Sequence, residues 1–148
     1  MDYITRLYCP AREQHGRLSA HQAAGARELA AWKRRVRSCW FGVRVRLAEN
    51  PPTAVHHDNT VPLRVQVFMN GLQPSDIVVE CLIDPSPQSA EATQQRIHLE
   101  AIPGEGEERV FTADFHAQNA GLQEMRIRAY PYHPLLSHRF EVGLMVWV

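Results

Sequence analysis

Leu29-Ala30-Ala31-Trp32-Lys33-Arg34-Arg35-Val36-Arg37-Ser38-Cys39-Trp40-Phe41-Gly42-Val43-Arg44-Val45-Arg46-Leu47 contains a change of period. Up to Trp40, the large apolar residues Leu29, Trp32, Val36 and Trp40 recur at steps of three and four, which lines one stripe of a helix. From Phe41 the step becomes two: Phe41, Val43, Val45 and Leu47 alternate with Gly42, Arg44 and Arg46. That alternation belongs to a strand with one buried face. A helical segment therefore gives way to β-structure near residue 40.

Downstream the period of two returns six times. Leu63, Val65 and Val67 alternate with polar neighbours; Ile77 to Ile83 is a further strand. Ile97-Leu99-Ala101, Phe111-Ala113-Phe115 and Met125-Ile127-Ala129 follow, and Phe140, Val142, Leu144, Val146 and Val148 close the series. Turn signals separate them, notably Gly71-Leu72-Gln73-Pro74-Ser75-Asp76 and Pro103-Gly104-Glu105-Gly106. Seven short strands with no helical pattern among them predict an Ig-like antiparallel β-sandwich over residues 41–148.

Upstream, two helices are expected. Tyr3, Ile4, Leu7, Tyr8 and Ala11 share a face over Asp2 to Gln14, with Pro10 ending or kinking that helix and Gly16 permitting a turn. Ser19 and Gln22 have the spacing of a capping box that opens a second helix running to Trp40. The fold class is thus mainly β, with a helical segment at 1–40 and the sandwich at 41–148.

The chain of 148 residues is 45% hydrophobic and 22% charged, ordinary values for a globular domain. No apolar run reaches the roughly 18 residues that span a bilayer. Cys9, Cys39 and Cys81 are odd in number and far apart, which fits reduced thiols in a cytoplasmic setting. Charge is polarised: residues 1–50 carry ten Lys/Arg against four Asp/Glu, and residues 51–148 carry six against twelve. The basic charges lie on one amphipathic helix without an aromatic stacking platform, so neither nucleic acid nor membrane is the expected partner.

Candidate chemistry is sparse. Lys33 is the single lysine, and any Schiff-base chemistry would have to use it, yet it stands among arginines with no phosphate cradle nearby. The Gly104-x-Gly106 pair is ringed by Glu105, Glu107 and Glu108, which would repel a phosphate. His56-His57-Asp58 places adjacent histidines on opposite sides of an extended chain, a poor chelate. Catalytic, metal and cofactor residues are therefore expected to be absent. Two surfaces remain: Tyr130, Tyr132 and Trp147 as candidate contacts for sugar rings, although core packing and a tyrosine corner also suit them, and Leu29, Trp32, Val36 and Trp40 as a docking face.

Several strings resemble one family. Met1-Asp2-Tyr3-Ile4-Thr5-Arg6-Leu7-Tyr8-Cys9-Pro10-Ala11 and Glu28-Leu29-Ala30-Ala31-Trp32-Lys33-Arg34-Arg35-Val36-Arg37-Ser38-Cys39-Trp40 resemble helices near the end of bacterial α-glucan (glycogen-type) phosphorylases. Gly71-Leu72-Gln73-Pro74-Ser75-Asp76-Ile77-Val78-Val79-Glu80, and the ending with Arg128-Ala129-Tyr130-Pro131-Tyr132-His133-Pro134, Gly143-Leu144 and Trp147, are similar to a β-sandwich extension in some members. The resemblance implies a parent that is a pyridoxal-phosphate-dependent glycosyltransferase, phosphorolysing α-1,4-glucan to glucose 1-phosphate. It implies that the cofactor lysine and sugar pocket lie in upstream domains, with no counterpart here. This chain alone is then expected to be non-catalytic, a structural or assembly region partnered by those domains, with α-glucan as a further candidate contact; the rival is a free-standing carbohydrate- or protein-binding module.

Overall fold

The computed structural model describes residues 9–50, 52, 56, 59–84, 93–116 and 124–148. One helix, α1 (Cys9–Trp40), precedes seven strands: β1 (Arg44–Leu47), β2 (Thr60–Phe68), β3 (Ile77–Asp84), β4 (Gln95–Ala101), β5 (Glu108–His116), β6 (Glu124–Pro131) and β7 (Val146–Trp147).

Among the described residues one helix stands where two were expected. Pro10 is the second residue of the described helix and does not end it. Ser19 does not start a helix: its Oγ lies 3.3 Å from the His15 ring one turn back, inside α1. Gly16 is likewise helical. The backbone departs from helical dihedrals at Ala23, whose φ is 61°. Residues 2–8 of the expected first helix lie outside the described residues.

All strand pairings are antiparallel, and the sheet runs β1-β2-β5-β4-β3-β6-β7. The strand β4 joins the two layers. Its Gln95–Leu99 stretch pairs with β3, and Glu100 and Ala101 pair with β5. The layers β1-β2-β5 and β3-β6-β7 face each other, and β1 comes alongside β7, so the sheet is nearly closed. Leu63, Val65, Val67, Val79, Cys81, Leu99, Phe111, Ile127 and Ala129 fill the space between them. The alternation in the sequence therefore points the right residues inward on β2, β5 and β6.

The helix stripe joins the same core: Leu29, Trp32, Val36 and Trp40 are all buried in one cluster with the strand residues. Two apolar expectations shift. Phe41 is 87% exposed, because the chain turns at Phe41-Gly42 (Gly42 N–H donates to Cys39 O at 3.0 Å) before β1 begins. The last strand is two residues long; Phe140 to Gly143 is a turn, with Gly143 at φ 73°.

The turn Met69-Asn70-Gly71-Leu72 locks the helix end. Asn70 and Gly71 have φ of 47° and 83°, and Leu72 N–H donates to Met69 O at 3.0 Å. Two successive residues at positive φ are the requirement of the type I′ turn, which Asn-Gly meets best. The Asn70 amide then donates to Cys39 O at 2.6 Å, a second bond to a carbonyl at the end of α1 that also accepts from Gly42 N–H.

Candidate functional site

Strand β3 is buried on both faces. Ile77, Val79, Cys81 and Ile83 enter the core, but Glu80 and Leu82, which point the other way, are buried as well. Phe140, in the chain after β6, packs on this face against Tyr130 and Arg128. Across this outer face the register lines up His98 on β4, Glu80 on β3, Arg128 on β6 and Trp147 on β7.

Glu80 is the centre of that row. Its Oε2 accepts from Arg128 Nε at 3.0 Å and Nη2 at 2.7 Å, and its Oε1 accepts from Tyr130 Oη at 2.7 Å. Arg96 and Arg139 flank the same carboxylate at 3.9 and 3.7 Å, beyond direct hydrogen bonding. Burial alone would raise the pKa of Glu80, but the bonds from Tyr130 and Arg128 and the charges of Arg128 and Arg96 outweigh it, so its pKa is lowered. Tyr130 moves oppositely: burial and the bonded Glu80 carboxylate raise it to about 12.

Arg128 is enclosed by rings, its guanidinium carbon 4.9 Å from the Phe140 centroid, 5.6 Å from Tyr130 and 5.7 Å from Trp147. Cation–π attraction stabilises such a desolvated guanidinium. Arg126 caps the other side of Trp147 at 5.8 Å and pairs with Asp84 at 2.6 Å. Beside Glu80 the surface opens into a groove of about 760 Å³, bordered by Ile77, Arg96, His98, Tyr130, Tyr132 and Arg139 among others.

A second polar centre sits at the joint between helix and sheet. Asp76, in the 3-10 turn Pro74–Asp76, is buried and accepts from Trp32 Nε1 and Arg35 Nη2 through Oδ1, both at 2.8 Å. Its Oδ2 accepts from Gln73 N–H at 2.8 Å, while its backbone carbonyl accepts from Tyr132 N–H at 2.8 Å. His133 packs against Trp32 with centroids 5.0 Å apart and the rings tilted by 46°, and its Nε2 lies 3.5 Å from Glu28.

The residues singled out from sequence separate accordingly. Leu29, Trp32, Val36 and Trp40 come together, packed on the sandwich of the same chain. Tyr130 is buried, and its hydroxyl goes to a side chain, Glu80, rather than to the backbone bond of a tyrosine corner. Tyr132 and Trp147 are 43% and 48% exposed on the same outer face, and only Tyr132 borders the groove. His56 is exposed, whereas His57 and Asp58 lie outside the described residues. Among the described residues no group of three metal-ligating side chains converges, and no helix is long and apolar enough to cross a membrane.

Sequence reasoning missed Glu80. A polar residue in an alternating strand reads as solvent-facing. The available signal was the run Ile77-Val78-Val79-Glu80-Cys81-Leu82-Ile83, apolar on both faces around one carboxylate, which marks a strand covered on both sides.

The family profile described as "Glycogen phosphorylase C-terminal domain" matches residues 40–148. The chain belongs to this family. It is similar to the glycogen phosphorylase of Mycobacterium bovis, 26% identical over 149 aligned positions that cover 97% of this chain and 17% of the relative. The glycogen phosphorylase of Mycobacterium tuberculosis gives 26% over 156 positions with the same coverage. The maltodextrin phosphorylase of Thermococcus litoralis is 27% identical over 153 positions, covering 99% of this chain and 17% of the relative. The chain thus spans about 17% of the length of the curated relatives it matches. The family match begins at the last residue of α1, but the relatives align over the helix as well.

The resembled parent's cofactor, pyridoxal phosphate, does not fit the residues here. The amine of Lys33 is ion-paired with Glu141, whose pKa is lowered as the bond and charge of Lys33 and the Ser137 N–H overcome its burial. An amine held as an ammonium in a salt bridge is a poor carbonyl nucleophile.

Proposed function

We propose that this chain is a non-catalytic C-terminal region of a phosphorylase-type glycosyltransferase, giving structural and assembly support to the upstream domains of the parent. The observation that carries this reading is the asymmetry of α1. From Leu29 to Trp40 its stripe is part of the sandwich core, whereas from His15 to Glu28 none of the described side chains is buried. The part of α1 before Leu29 therefore adds no described side chain to the sandwich core. The helix is a strut, clamped at one end and offered at the other to the glycosyltransferase body. Parental phosphorolysis of α-1,4-glucan, with pyridoxal phosphate as cofactor, belongs to that body; the setting is cytoplasmic, and neither nucleic acid nor membrane is a partner.

The domain itself is Ig-like on this reading. Ig constant-type sandwiches place strands one, two, five and four in one sheet and three, six and seven in the other. The order β1-β2-β5-β4 followed by β3-β6-β7 supports that assignment. Contact with α-glucan, as in a free-standing carbohydrate-binding module, is a narrower second reading resting on the half-exposed Tyr132 and Trp147.

The test has two arms. The purified 148-residue chain, assayed with α-glucan and phosphate, is expected to release no glucose 1-phosphate. A full-length relative lacking the segment aligned with residues 9–148 is expected to lose thermal stability or its native assembly. Phosphorolysis by the isolated chain, or unchanged stability and assembly of the truncated relative, overturns the proposal.

A further inference from the structure

The groove beside Glu80 has more positive charge than its own carboxylate needs. Glu80 is satisfied by three short bonds, two from Arg128 and one from Tyr130. Arg96 and Arg139 approach opposite oxygens of the same carboxylate, but at 3.9 and 3.7 Å their donors are left for the groove. Both are nearly half exposed, at 47% and 45% of their side chains. Among the described residues that line the groove Glu80 is the one acid, so Arg128, Arg96 and Arg139 together exceed it in charge, and His98 adds a further polar group at the rim. Arg126 and Asp84 pair with each other one row away and leave that balance unchanged.

We infer that this groove, between Arg96 and Arg139 above Glu80, binds a phosphate monoester with Tyr132 against the carbon skeleton of the ligand. Guanidinium groups match the fork of phosphate oxygens, and charge-assisted bonds to them are the strongest an exposed site can make. The arginine side chains are pre-positioned. Glu80 anchors both from below, and Phe140 supports Arg139 with its guanidinium carbon 5.8 Å from the ring centroid. Tyr132 borders the groove with a half-exposed ring, an apolar surface for the ester's carbon skeleton. A neutral ligand would leave the two cations without counter-charge, so the site discriminates against it. This site is independent of the strut role of α1.

Isothermal titration of the full 148-residue protein at low salt tests the proposal with inorganic phosphate, a hexose phosphate and maltose. Saturable binding of the hexose phosphate is expected, falling about tenfold in Arg96→Gln and in Arg139→Gln. Arg64→Gln, on the opposite layer, is expected to have no effect. Equal binding of inorganic phosphate points to the free ion as the source of the anion, and tighter binding of the ester to a contribution from Tyr132; either supports the phosphate site. No saturable heat at millimolar ligand, maltose binding as well as the phosphates, or undiminished affinity in the Arg96/Arg139 double variant overturns it. Circular dichroism of each variant establishes that the fold is intact.

Discussion

Asp76 is the side chain through which the helix is tied to the sheet. Removing it leaves the Trp32 indole N–H without an acceptor in a buried place, at a cost of about 1–3 kcal/mol, and frees the part-buried Gln73 N–H as well. Asp76→Ala is therefore expected to lower unfolding free energy by about 3 kcal/mol in urea titration. Arg35, its partly exposed ion partner, contributes little because water screens the pair; Arg35→Ala is expected to cost less than about 1 kcal/mol. Titration separates the carboxylates further. Glu80 and Glu141 have pKa values below the ordinary carboxylate value, so the folded state binds fewer protons than the unfolded state in that acid window. Stability is then full above the unfolded value near 4.5 and is lost as pH falls through the folded values. Glu80→Gln is expected to shallow this acid loss in thermal melts while destabilising the protein at neutral pH, because Arg128 is left buried without its counter-charge. At the alkaline end the sign reverses. Tyr130 and Cys81 are both raised to about 12 by burial, so the folded state keeps protons that the unfolded state releases, and stability declines as pH rises above about 9.

Between α1 and the strands, the Asn70-Gly71 turn acts as a clamp. Asn70→Ala loses the bond to Cys39 O and forces a β-carbon other than asparagine's to hold φ near 47°, for an expected loss of about 1–2 kcal/mol. Asn70→Gly keeps the dihedral and loses only the bond, and is expected to cost less. Ala23, at φ 61° inside α1, is the opposite case: Ala23→Gly relieves a left-handed alanine and is expected to be neutral or to raise the melting temperature, despite glycine's poor helix propensity. The stripe predicts the largest effect. Trp40→Ala empties a buried site shared by helix and sheet and is expected to cost about 3–5 kcal/mol by chemical denaturation.

For the molecule as a unit, the helix is half core and half projection. Deleting residues 1–25 is expected to leave the sandwich folded by near-ultraviolet circular dichroism, whereas deleting residues 1–40 removes Leu29, Trp32, Val36 and Trp40 from the core and is expected to yield insoluble protein. Equal solubility of the two truncations would contradict the single shared core. The sequence by itself determined the approximate place of the strands β2 to β6, which residues of β2, β5 and β6 face inward, and that Leu29 to Trp40 forms one stripe, because period and turn chemistry are written locally. It also carried the family, through ordered motifs. Only the tertiary structure decided what covers each face. Glu80 and Tyr130 alternate like solvent-facing residues, yet Phe140 and the C-terminal segment bury them, and Phe41, apolar and in phase, is turned out to solvent. Pro10, Gly16 and Ser19 look like helix punctuation, but hydrogen bonding along α1 overrides them. Which strands pair, and how β4 serves two layers, depends on contacts between residues far apart in the chain, and alternation carries no information about partners.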